Sequence, residues 1–63
     1  MRDLIITQEV ARGRTIYYVE ERHGQVVDYA TMWDTKQQAQ AYARLLNRGF
    51  DPHNAERIVR QAA

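Results

Sequence analysis

The tight spacing of two glycine-bearing turns constrains this chain most. The runs "LIITQEV", "TIYYVEE" and "QVVDYATMW" are rich in Ile, Val, Thr, Tyr and Trp, residues that fit a pleated, half-buried surface. Only "ARGR" separates the first run from the second, and only Arg22-His23-Gly24 separates the second from the third. A parallel return needs a crossover of about a dozen residues or more, so these runs are expected to pair as an antiparallel meander. Gly13 and Gly24 would supply the positive φ that such turns demand.

Turn length also sets an expected register. A turn spanning Ala11 to Arg14 places Leu4 and Ile6 on the same side as Tyr17 and Val19. A three-residue loop at Arg22-His23-Gly24 pairs Glu21 with Gln25, which puts Val19 opposite Val27 and Tyr17 opposite Tyr29. Alternation then adds Trp33, completing a face of Leu4, Ile6, Tyr17, Val19, Val27, Tyr29 and Trp33. A slip of one residue would exchange the two faces.

After Trp33 the apolar period lengthens. Thr35 is a good N-cap, with Gln38 three residues on as in a capping box. Ala39, Tyr42, Ala43 and Leu46 form a stripe at helical spacing, with Leu45 at its edge. Gly49 ends this helix, and Phe50 falls where a Schellman motif places an apolar residue. Asp51 then caps a second helix that opens with Pro52, carrying Ala55, Ile58, Val59 and Ala62 on one side. The expected fold is a single α+β domain spanning residues 1–63: a three-stranded antiparallel β-meander followed by two C-terminal helices packed on one face. Trp33, at the junction, would cover the seam between sheet and helix near Ala39. Its alternative role, a stacking platform for a base, needs an exposed ring.

With 63 residues, such a domain buries only about 60% of its unfolded surface. Small domains of this kind draw support from disulfides, metals or partner subunits. Cysteine is absent, which excludes disulfides and thiolate zinc sites and leaves self-association. No run approaches the roughly 20 apolar residues of a membrane span, and "LIITQEV" lacks the features of a secretory leader. A cytoplasmic protein with no membrane contact is expected.

The formal net charge is +1 and the pI about 8.2, short of the strong basicity of a dedicated nucleic-acid binder. The charge is unevenly divided: residues 1–34 carry a net −2 and residues 35–63 a net +3.

Catalysis needs a nucleophile beside a base, or paired carboxylates in a cleft. His23 and His53 are far apart in sequence and lack partners at ligand spacing. Glu20 and Glu21 alternate to opposite sides of a strand. No glycine-rich phosphate loop is present. A non-enzymatic protein with no cofactor and no metal is expected.

Binding remains. With the helices on the Tyr17 and Val19 side, the opposite sheet face carries Ile5, Ile16, Tyr18, Val26 and Met32, with Glu9, Glu20 and Asp28 among them. Such a patch reads as a protein-interaction surface, although single apolar residues on a solvent face are ordinary. A second set, Lys36, Gln40, Arg44 and Arg48 with neighbouring Gln37 and Asn47, occupies the outer side of the first helix. Arg57 and Arg60 add to it from the second. These residue types contact phosphates and base edges; they equally make a solvated helix face.

The strand–strand–strand–helix order, with "WDTKQQAQAYA" at the start of the helix, resembles the arm-type DNA-binding domains of phage-like integrases. Trp33, Thr35, Ala39 and Ala43 match that family's aromatic, Thr cap and alanine-rich helix, over roughly residues 15–48. The family reads the major groove with a basic sheet, whereas this sheet half is net acidic. In size and style the chain also resembles small phage and mobile-element proteins, including anti-CRISPR inhibitors, which occlude a surface of a larger complex. The resulting expectation is a protein-binding module acting stoichiometrically on a larger host assembly, such as a bacterial defence complex. The alternatives are a DNA- or RNA-binding accessory protein using the basic helices, and a structural homodimer.

Overall fold

The computed structural model describes residues 3–21 and 32–62. Two strands, β1 (Leu4–Ala11) and β2 (Arg14–Glu21), are followed by a short β3 (Met32–Trp33) and by helices α1 (Lys36–Asn47) and α2 (Pro52–Ala62). The strands form one antiparallel sheet in the order β1-β2-β3. The fold is therefore the expected α+β arrangement of meander and C-terminal helices.

The first turn explains the β1–β2 register. Arg12 (φ 54°) and Gly13 (φ 76°) both adopt left-handed backbone, the conformation of a two-residue type I′ hairpin turn. Ala11 pairs with Arg14, Ile6 with Val19 and Leu4 with Glu21. Leu4, Ile6, Tyr17 and Val19 consequently share one face, as their turn spacing predicts.

The β2–β3 register differs from expectation. Tyr17 lies opposite Trp33, and Tyr18 opposite Met32, where a three-residue loop would have set Tyr17 against Tyr29. The displacement is four residues, an even number, so Met32 and Trp33 keep their expected faces. Pairing Trp33 with Tyr17 seats the indole between sheet and helix, where it is 1% exposed. The expected positions of Gly24, Val26, Val27, Asp28 and Tyr29 lie outside the described residues.

Local signals fix both ends of α1. The Gln38 N–H donates to Thr35 Oγ1 at 3.1 Å, satisfying one of the helix's orphan donors. At the other end the Phe50 N–H donates to Leu45 O (3.2 Å) and the Gly49 N–H to Leu46 O (3.1 Å), the paired bonds of a Schellman motif. Gly49 stands at φ 100° to make them. Asp51 caps α2 by accepting from the Asn54 N–H at 2.7 Å, and Pro52 begins that helix.

Val19, Trp33, Ala39, Tyr42, Leu46, Ala55 and Val59 form the core, with Leu4, Ile6, Tyr17, Ala41, Ala43 and Leu45 packed around it. The α1 helix lies directly on the sheet, while the close backbone neighbours of α2 are in α1. The molecule is 16 Å through its thinnest dimension, which accommodates one sheet and one helical layer.

Candidate functional site

The outer sheet face is built by strand alternation. Ile5 pairs across from Glu20, Thr7 from Tyr18 and Glu9 from Ile16, and Met32 adjoins Tyr18 on the other side. Ile5, Ile16 and Tyr18 are half-buried by these neighbours, while Met32 is 60% exposed. The Tyr18 hydroxyl donates to Glu9 Oε2 at 3.3 Å. Partial burial raises the Tyr18 pKa above its ordinary value, and the charge of Glu9, this hydrogen bond and the charge of Glu20 act in the same direction. Glu9 and Glu20 are themselves exposed. At one end of the face, Arg14 Nη2 meets Asp34 Oδ1 at 2.8 Å. The surface thus carries Ile16, Tyr18 and Met32 as one apolar strip, with Glu9 and Glu20 interspersed: Glu20 lies across from Ile5, and Glu9 across from Ile16. Val26 and Asp28, assigned to it by alternation, lie outside the described residues.

The basic set divides by its contacts. Lys36, Gln40 and Arg44 are exposed on α1, Arg48 at its C-cap, and Arg57 and Arg60 on α2. Arg60 is engaged twice: its Nε donates to Glu56 Oε2 at 2.9 Å, and its guanidinium lies 4.6 Å from the Trp33 ring centre. Arg57 Nη2 donates to Asn54 Oδ1 at 3.2 Å. Arg44 and Arg48 have no ion-pair partner among the described residues. The basic residues therefore divide by contact: Arg57 and Arg60 are held by side chains of α2 and by Trp33, whereas Lys36, Arg44 and Arg48 are exposed without an ion pair among the described residues.

Those two arginines border a groove that sequence reasoning missed. Ala41 and Leu45 of α1 face Ile58, Val59 and Ala62 of α2 across a space of about 440 Å³, with Gln37 and Gln38 at one end. Ala41 lies off the apolar stripe that announces α1, so periodicity along one helix does not reveal it; only the pairing of α1 with α2 does.

Trp33 is a core residue. Its ring sits 5.3 Å from that of Tyr42, tilted by 46°, and is too deeply covered to stack on a base. Its Nε1 has no acceptor among the described residues. His53 is exposed at the start of α2, and no cluster of metal-ligating side chains occurs among the described residues. No helix among them is long and apolar enough to cross a membrane. No protein-family model, curated protein or solved structure matches this chain.

Proposed function

We propose that this chain is a non-enzymatic protein-binding module that acts stoichiometrically, covering a surface of a larger assembly with the outer face of its sheet. The observation that carries this reading is the exposed Met32 on β3 beside Tyr18 of the middle strand, a strip that continues along β2 to Ile16. Methionine and aromatic side chains are enriched in interfaces. A flexible thioether adapts to an irregular partner surface at little cost.

The interspersed carboxylates support a partner of complementary chemistry. Glu9 and Glu20 favour a protein surface with Lys or Arg among its apolar residues. Two copies placed face to face would bring carboxylates against carboxylates, which costs association energy, so a different protein is the better fit. A small phage or mobile-element inhibitor that occludes a bacterial defence complex would work in this way.

Capture from a bacterial lysate tests the proposal when the bait is compared with its own Ile16→Ser/Tyr18→Ala variant. A partner recovered at equal molar ratio by the parent and lost by the folded variant supports the sheet face. Equal capture by both baits removes that face from consideration.

A further inference from the structure

We infer that the groove between α1 and α2 docks an acidic amphipathic helix of a protein partner, at a site separate from the sheet face and independent of its assignment. Its apolar lining is Ala41 and Leu45 on one helix and, with Val59 between them, Ile58 and Ala62 on the other. Each pair is four residues apart, so each presents a row one helical turn long. Two such rows flanking a space of about 440 Å³ receive the apolar side chains of a third helix, the groove mode of peptide recognition.

The rim supplies the charge preference. Arg44 and Arg48 both line the groove, and no Asp or Glu does. Four residues apart, they stand about 6 Å from one another along the helix axis. Like charges at this spacing repel, and neither has a carboxylate partner among the described residues, unlike Arg14 and Arg60. The C-terminal end of the α1 dipole favours cations there but leaves both guanidinium forks open to an outside ligand. An incoming helix with two carboxylates one turn apart matches both forks while its aliphatic side covers the floor.

Other occupants fit less well. A nucleic-acid backbone would engage the arginines and leave the aliphatic floor uncovered. A second copy lacks the complementary helix: the acidic residues of α1, α2 and their connection are Asp51 and Glu56, and these already cap α2 and bind Arg60.

The test is selection of a displayed library of helix-forming 16-residue peptides against the full chain. Binding is then measured to Arg44→Glu/Arg48→Glu and to Ala62→Trp, each confirmed as folded by circular dichroism. The double variant reverses the rim charge; the second fills the groove and leaves the charge in place. Selected peptides should carry Asp or Glu one turn apart beside an aliphatic stripe, and should lose tenfold or more in affinity toward each variant. Selection that yields no such peptides, or peptides indifferent to either variant, overturns the assignment. So does micromolar binding of a labelled 20-base-pair duplex that needs Arg44 and Arg48 and tolerates Ala62→Trp, which would give the arginines to nucleic acid. Ile16→Ser/Tyr18→Ala should leave peptide binding unchanged, separating this site from the sheet face.

Discussion

The Arg60 guanidinium lies 4.6 Å from the centre of the Trp33 ring, joining the last helix to the last strand. Because the backbone of α2 packs against α1, this contact is a direct tie between α2 and the sheet. Glu56 holds the arginine from one helical turn away. Replacing Arg60 by Ala removes a cation–π contact of about 0.5–1 kcal/mol and should loosen α2. Chemical denaturation checks the loss, and Arg60→Lys should recover part of it.

Trp33 itself should be far more sensitive. Truncating a buried aromatic to Ala typically costs about 3–5 kcal/mol, and a chain of 63 residues has only about 3–9 kcal/mol of stability in total at ordinary values per residue. Trp33→Ala should therefore lose about a third or more of the total stability, read as a much lower urea midpoint by circular dichroism. Trp33→Phe should stay folded, since it keeps a ring against Tyr42 and removes an indole donor that has no acceptor among the described residues.

The hairpin turn offers a stabilising change. Arg12 holds φ at 54°, a conformation that Asn tolerates better than Arg. Arg12→Asn creates the Asn-Gly pair that type I′ turns prefer. It should add about 0.5–1 kcal/mol, or about 4 °C in Tm for a domain of this size. A calorimetric scan reads the shift directly.

Each helix start depends on one side-chain oxygen. Thr35→Ala and Asp51→Ala should each cost about 1 kcal/mol. The caps serve different helices through different acceptors, so the double variant should lose close to the sum. Urea unfolding of the two single variants and the double variant forms the check.

Tyr18 should impose an alkaline limit. Its pKa is raised in the folded state by partial burial and by Glu9 and Glu20. The unfolded chain releases this proton first as pH rises, so stability contributed by the neutral phenol is intact below the unfolded value near 10 and falls above it. Tyr18→Phe should flatten the decline in stability above about pH 10 relative to the parent. A decline of unchanged slope would assign it to other groups.

The legible parts of this fold are those set within a few residues. The turn at Arg12-Gly13 fixes the first register because its length leaves one pairing, and the caps at Thr35 and Asp51 and the stop at Gly49 each act over one helical turn. The second register was not legible, because it depended on an assumed loop length, and burial of Trp33 against Tyr42 is a contact between distant elements. The same limit applies to the surfaces. Alternation placed Ile5, Ile16, Tyr18 and Met32 together correctly, since it follows from strand geometry. It could not separate Arg60, drawn onto Trp33, from Arg44 and Arg48, which border the groove. That distinction arises only when α2 packs on α1.

Met32 reports directly on whether the sheet face is an interface. Its exposed thioether oxidises readily, and Tyr18 beside it is also reactive, so hydroxyl-radical footprinting reports on the outer face at residue resolution. The purified complex with the captured partner should show strongly reduced oxidation of Met32 and Tyr18 compared with the free chain. Unchanged oxidation at both residues in a stoichiometric complex would contradict binding through the sheet face.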